Sequence, residues 1–140
     1  MRHAGTMTLV AAVTLVAAGC AEPSRGSATS APPPDLSAAL AGLCRAEDLA
    51  RAGDLRNARA TFEDQAHAYL HELAADAESR ARAAVGRLLE AKNRVEAALR
   101  GEADQAPAEV GARLATLEAV TREVAAALGT PAPRCAEAGG

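Results

Sequence analysis

Two histidines, His67 and His71, lie four residues apart in the segment EDQAHAYLHELA, and Asp64 stands three residues before the first of them. In an α-helix, where each residue turns about 100°, these three side chains fall within about 60° of one another. Imidazoles at this spacing can bind one Cu²⁺, Zn²⁺ or Ni²⁺ ion, and a carboxylate can supply a third ligand. The spacing therefore makes Asp64, His67 and His71 a candidate metal site. We favour the other interpretation, that both histidines are ordinary helix-surface residues paired with neighbouring carboxylates.

Cys20, the first of three cysteines in the chain, has three possible roles: a disulfide, a reactive thiol or a point of attachment. It follows a segment that carries one early positive charge, Arg2, and an apolar run over residues 7–18. A helix of that length spans about 18 Å, which is too short for a hydrocarbon core of about 30 Å. The sequence therefore predicts a signal peptide over residues 1–19 and not a membrane span.

The run VAAGC, which ends at Cys20, resembles the lipobox of bacterial lipoproteins, in which small residues precede the cysteine. The resemblance covers residues 1–20 and departs from the usual pattern at Ala17, where leucine is common. It implies diacylglyceryl transfer to the Cys20 sulfur, cleavage after Gly19 and a further acyl chain, such as palmitate, on the new amino group. The protein would then be lipid-anchored on the extracytoplasmic side of the cell membrane or outer membrane. The alternative is an ordinary secretory signal with a chance cysteine.

The stretch after Cys20 predicts a tether. AEPSRGSATSAPPP contains four prolines, three serines and a glycine, and this composition cannot bury a core. We expect residues 20–34 to be disordered and to hold a folded domain, residues 35–140, up to about 40 Å from the bilayer. Removal of residues 1–19 takes away Arg2 and changes the formal charge from −3 to −4. Lipid, and not charge, would therefore hold the protein at the membrane.

The two remaining cysteines are predicted to form a disulfide with each other. If Cys20 is lipidated, Cys44 and Cys135 are an even number of cysteines in an oxidising compartment, where disulfides persist. We predict a disulfide that closes a loop of roughly 90 residues and stabilises the fold by about 4 kcal/mol in the chain-entropy description. Two free thiols are the alternative.

The domain is predicted to be all-α, because alanine dominates its apolar content and no segment alternates as a strand would. Apolar residues recur at three- and four-residue steps, which favours a small up-down bundle of about four helices. The predicted helices are 35–52, 54–74, 77–100 and 107–128. The segment AADAES, between the second and third predicted helices, has a possible cap but no glycine or proline. It therefore does not decide whether these two helices are separate. We favour a break, because one helix of about 46 residues would be roughly 70 Å long and hard to cover.

Asp35 and Asp54 are predicted helix caps, with Gly53 ending the first helix in a tight turn. Phe62 and Tyr69 are expected in the core. The inward-facing residues of the third helix are predicted to be Val85, Leu88, Leu89, Val95 and Leu99, with Lys92 interrupting the stripe.

Function is less sharply indicated than fold. The sequence has no Gly-rich phosphate loop, serine elbow or HExxH motif, and no basic stripe with interleaved aromatics that would indicate nucleic-acid binding. AGDLRNARATF resembles the centre of a tetratricopeptide repeat, which would imply an adapter role, but no second copy follows at the 34-residue period, and we interpret it as the local geometry of a tight αα-hairpin. The sequence predicts a non-enzymatic binding or accessory module for an envelope protein partner. The alternative is a protein that handles Cu, Zn or Fe through Asp64, His67 and His71.

Overall fold

The structure is a computed structural model that describes residues 35–101, 105–130, 132, 134 and 135. Helix α1 spans Leu36–Arg51, α2 spans Leu55–Phe62, α3 spans Ala68–Leu99 and α4 spans Pro107–Ala127, with a π-helical turn at Glu63–His67 between α2 and α3. The predicted all-α class is confirmed, and the described residues contain no strand. The signal peptide and tether predicted for residues 1–34 lie outside the described residues. Among the described helices, none combines the length and apolarity that a membrane crossing requires.

The prediction of four separate helices is wrong in one respect. The predicted break near residues 75–76 is absent, because helix continues through these positions, and the described residues form three helical segments, 36–51, 55–99 and 107–127. The physical reason is local: AADAES consists of residues that a helix tolerates, and it lacks the glycine or proline that would stop one.

The long segment nevertheless folds back on itself at Ala81, the one residue in it with non-helical backbone angles (φ −142°, ψ 41°). His67 Nε2 lies 2.9 Å from Glu96 Oε1, although these residues stand fourteen and fifteen positions on either side of Ala81. The two limbs, 55–80 and 82–99, are therefore antiparallel. Because of this sharp bend, the segment is not one long straight helix whose apolar surface the small domain would have to bury.

Four helical stretches thus pack side by side as a bundle. Helix α1 lies between the first limb and α4, and α4 lies against the second limb. Neighbours run in opposite directions. The antiparallel register is visible where Arg87 pairs with Glu123 and where the Cβ position of Gly42 would meet Gln65 Cβ at 2.6 Å.

The predicted helix starts and the first turn are confirmed. Asp35 Oδ1 accepts a hydrogen bond from the Ala38 amide at 2.7 Å, and Asp54 Oδ1 accepts one from the Asn57 amide at 3.2 Å. Gly53 connects α1 to α2 with φ +86°, a left-handed conformation that glycine adopts without steric penalty. These caps satisfy amide groups that a helix start leaves unpaired.

The core is made of leucine, valine and alanine with one aromatic ring, Phe62, which is buried as predicted. Tyr69 is only partly buried and packs at the edge of the core. Leu89, predicted to face inward, is instead the one large hydrophobic residue that is exposed among those described (37%). Adjacent helical residues point about 100° apart, so Leu88 takes the core position and Leu89 cannot. Lys92, predicted to interrupt the apolar stripe, lies in it and is 97% buried (3% exposed).

Candidate functional site

The most unusual side chains of the described domain meet where the two limbs contact each other. Lys92, the only lysine of the chain, places its Nζ 2.5 Å from Glu96 Oε1. The same oxygen lies 2.9 Å from His67 Nε2, which reaches across from the first limb. We call His67, His71, Lys92 and Glu96 the polar cluster. A buried ammonium requires a compensating charge, and Glu96 supplies it from the next helical turn.

The π turn Glu63–His67 positions the histidine end of this cluster. A π turn closes i→i+5 hydrogen bonds, so it takes about one residue more than an α-helical turn and rotates the residues after it relative to those before it. Phe62, buried just before the turn, stacks edge-to-face with the His67 ring at a centroid distance of 5.9 Å. The His67 and His71 rings are 4.9 Å apart, also edge-to-face. Single π turns are frequent at functional sites.

Electrostatics in the polar cluster follow from its burial and charge. Burial by itself raises the pKa of Glu96, but the hydrogen bond and charge of Lys92, with the charges of His67 and Arg100, hold it below its usual value. Desolvation, followed by the positive charges of Lys92 and His67, lowers the pKa of His71, and Glu96 opposes this only in part. The cluster therefore favours an ionised carboxylate and a neutral His71 imidazole at neutral pH.

The structure brings together two of the three residues of the predicted metal site. His67 and His71 are neighbours, whereas Asp64 lines a depression between α1 and the first limb with Arg45 and Asn57. Rotation by the π turn accounts for this, because the 60° spacing assumed regular α-helix throughout. No group of three possible ligand atoms within 4.8 Å of one another in the described residues includes any of these three side chains. The histidine metal site stays a prediction.

A groove opens beside the polar cluster, at the end of the bundle where the first limb begins and the second ends. Its volume is about 350 Å³. Its lining includes two buried apolar residues, Phe62 and Leu99, together with His67 and Glu96 of the polar cluster. The remaining lining residues carry both signs of charge: Arg59, Glu63 and Arg100. Such a surface suits a ligand or protein segment with an apolar contact and charges of both signs.

A second cluster surrounds the disulfide. Cys44, on α1, and Cys135, in the C-terminal segment, have their Sγ atoms 2.08 Å apart and their Cα atoms 5.4 Å apart. The predicted pairing is therefore confirmed at bonding distance. Glu118 of α4 lies beside it with 6% of its surface exposed, and one carboxylate oxygen and both sulfurs lie within 4.8 Å of one another. The Glu118 carboxylate is paired with Arg122, whose Nη2 donates to Oε2 at 3.1 Å.

Sequence reasoning missed three of these functional residues: Glu96, Lys92 and Glu118. Glu96 and Glu118 carry no pattern of their own, because their importance depends on contacts with other segments. Lys92 gave the one available signal, a charge inside an apolar stripe, and it indicates a buried partner. Comparison with known proteins adds nothing to the assignment: no protein-family model, no curated protein and no solved structure matches this chain.

Proposed function

We propose that this chain is a lipid-anchored protein of the cell envelope, whose helical bundle is a non-enzymatic binding module on the extracytoplasmic side. The observation that carries the proposal is the pairing of Cys44 with Cys135. Disulfides persist in oxidising compartments and are rare in the cytosol, so the pairing supports export. Because the chain has three cysteines, Cys20 has no further cysteine of its own chain to pair with.

Cys20 stands at the end of VAAGC, and the lipobox resemblance gives it a role other than a disulfide. One acyl chain holds a protein only marginally, whereas two or three hold it durably, at about 0.8 kcal/mol per buried CH₂. Anchoring of this kind needs no spanning helix.

The bundle supplies the binding surface. The groove lined by Phe62 and Leu99 presents an apolar contact between charges of both signs. Its proposed partner is a segment of an envelope protein with complementary charges. Arg59 and Glu63 form an exposed ion pair on its rim, with 2.7 Å between Nε and Oε1. Exposed pairs of this type contribute little to stability, so both residues can exchange their pairing for a partner's charges.

The anchoring experiment replaces Cys20 by serine in the full chain, with Ser24→Ala as the matched control outside the lipobox. We expect the parent and the control to incorporate labelled palmitate and to sediment with membranes, and Cys20→Ser to do neither. Retention of both label and membrane association by Cys20→Ser would rule out the lipid anchor.

The binding surface has a separate test. The double reversal Arg59→Glu/Glu63→Arg keeps the local ion pair but exchanges its charges, so the fold is expected to persist. Site-specific photo-crosslinking in intact cells from the exposed position 56, about one helical turn before Arg59, should give a discrete product with the parent groove and lose it with the reversed pair. An unchanged product would place the partner elsewhere on the bundle.

The adjacency of the His67 and His71 rings favours the metal-handling alternative as a second candidate. The buried Lys92 ammonium beside them opposes cation binding, and for this reason we place it second. Titration of the oxidised chain with Cu²⁺, Zn²⁺ and Fe²⁺ decides the matter. Binding that disappears in His67→Ala/His71→Ala would favour metal handling, and equal binding by parent and variant would exclude it.

A further inference from the structure

We infer that Cys44, Cys135 and Glu118 form a redox-controlled Zn²⁺ site, which is closed while the disulfide exists and opens when the disulfide is reduced. The three residues come from α1, the C-terminal segment and α4, so only the folded bundle assembles them. One ligand atom of each lies within 4.8 Å of the other two. This is the only such group among the described residues.

The buried carboxylate is the feature that a purely structural disulfide does not require. Glu118 is 94% buried (6% exposed), and taking a carboxylate out of water is unfavourable unless other groups compensate. Its compensation is incomplete: Oε1 lies 3.1 Å from Arg122 Nε, yet neither atom makes a hydrogen bond of acceptable geometry. A carboxylate with unused acceptor capacity therefore lies beside two sulfurs.

The chemistry of these donors selects the ion. Zn²⁺ binds thiolate sulfur at about 2.3 Å and carboxylate oxygen at about 2.0–2.2 Å, in tetrahedral geometry. Two sulfurs and one carboxylate oxygen leave the fourth position for water. Hard cations such as Mg²⁺ and Ca²⁺ prefer oxygen ligands throughout and are disfavoured by two thiolates.

The anionic ligands of the proposed site are largely neutralised. Two thiolates and one carboxylate carry −3, against +2 on Zn²⁺ and +1 on Arg122, and Arg134 is a further cation that lines the adjoining depression. The other acid that lines the adjoining depression, Glu47, is paired with Arg51 at 2.7 Å. The depression is open to solvent and gives a reductant and the ion a route to Cys135.

The redox step is a thiol–disulfide exchange with a dithiol reductant. The dithiol transfers two electrons and two protons to the Cys44–Cys135 bond, leaves as a disulfide, and produces two protein thiols. Zn²⁺ then displaces both thiol protons and binds the two thiolates with the Glu118 carboxylate. In the reverse exchange, a disulfide oxidant accepts the two electrons, takes up two protons and leaves as a dithiol, so that the Cys44–Cys135 bond forms again and Zn²⁺ is released.

The test uses the purified full chain in detergent, oxidised or reduced with a phosphine that does not compete for metal, and Zn²⁺ alone as the probe. Competition with a chromogenic chelator should show one Zn²⁺ per reduced chain and none per oxidised chain. Glu118→Gln, which keeps the shape of the side chain, should weaken binding at least about tenfold, since even outer ligand partners contribute 10–100-fold. Glu123→Gln, at an exposed glutamate of the same helix, is the matched control and should bind as the parent does.

Two further measurements keep the outcome decisive. Co²⁺ in place of Zn²⁺ should give a thiolate charge-transfer absorption that Cys135→Ser reduces. Far-UV circular dichroism follows the fold: if reduction unfolds the chain, Zn²⁺ should restore helicity in the parent but not in Glu118→Gln. Absence of Zn²⁺ binding by the reduced chain, equal affinity of Glu118→Gln, or no recovery of helicity after unfolding would each overturn the proposal. None of these results depends on the lipid anchor.

Discussion

Replacement of Lys92 by methionine perturbs the polar cluster while it preserves the length and volume of the buried aliphatic stem. The lysine side chain is 4% exposed and that of its partner, Glu96, is 18% exposed. Removal of one partner from a fully buried ion pair lowers stability by about 3–5 kcal/mol, because the other charge is left uncompensated. Glu96 keeps His67 at 2.9 Å and some solvent contact. We therefore expect Lys92→Met to lower the free energy of unfolding by about 2–3 kcal/mol.

The assay is urea unfolding at pH 7.5, followed by far-UV circular dichroism. For a domain of this size the expected loss corresponds to a fall in Tm of about 10–20 °C. Arg94→Met is the matched control, because Arg94 pairs with Glu90 on the same limb at the same four-residue spacing but with 60% and 61% side-chain exposure. Exposed pairs of this kind contribute about 0.3–0.5 kcal/mol, so the control should remain close to the parent.

The effect of Lys92→Met should depend on pH through Glu96. In the parent, the folded-state pKa of Glu96 lies below its usual value. The ionised carboxylate therefore stabilises the fold at pH values above the usual pKa, and this contribution is lost as the pH falls through the lowered pKa. In the variant, burial still raises the pKa, and only the influences of His67 and Arg100 oppose it, so the ionised carboxylate stabilises the fold less than in the parent. The difference in stability should be largest at pH 7.5 and shrink near pH 4, about the ordinary range of a carboxyl group.

His71 gives a second, independent measurement. Desolvation lowers its pKa most, and the charge of Lys92 lowers it further. Removal of that charge should raise the pKa of His71, which a titration of its ring protons by NMR detects, whereas Arg94→Met should leave the titration unchanged. Equal stability of Lys92→Met and Arg94→Met at pH 7.5 would refute the buried ion pair as the cause. A loss of stability that is the same at pH 7.5 and pH 4 would refute the role of Glu96.

The remaining predictions concern packing and the disulfide. Gly42→Ala should destabilise by about 1–3 kcal/mol in urea unfolding, because its Cβ would lie 2.6 Å from Gln65 Cβ. Gly86→Ala, with nothing within 4 Å, should instead stabilise by about 0.5–1 kcal/mol, and equal effects at both positions would contradict the packing of α1 on the first limb. Cys44→Ser/Cys135→Ser should lose up to about 4.6 kcal/mol, given the sequence separation of 91. An unchanged Tm would show that the bond does not constrain the unfolded chain.

Helix positions were predictable because their signals are local. A cap such as Asp54 and a turn glycine such as Gly53 act within four residues of themselves, and the structure places both as expected. The pairing of Cys44 with Cys135 was predictable because these two cysteines remain once Cys20 is assigned to lipid attachment. The apolar periodicity specified which helix faces are buried. The exception is the adjacent pair Leu88 and Leu89, of which Leu88 is buried and Leu89 is exposed.

A break was expected near residues 75–76, because a straight helix of that length is hard to cover, but the bend lies at Ala81, where nothing in the sequence stops a helix. Local propensity favours continuation there, and the chain turns because its two limbs bury apolar surface against α1 and α4 only when they are antiparallel. The same limitation affected Asp64. Its predicted place beside His67 and His71 assumed regular helix, and the π turn at Glu63–His67 changed the spacing.

By itself, the sequence determined the all-α class, the ends of most helices and the residues of the disulfide. Only the tertiary structure decided which charges meet inside the bundle. Glu96 lies between His67 and Lys92, and Glu118 lies beside Cys44, because packing brings separate segments together. Helical periodicity specifies which side of a helix faces inward, but the identity of the side chain that it meets depends on the neighbouring helix and its register.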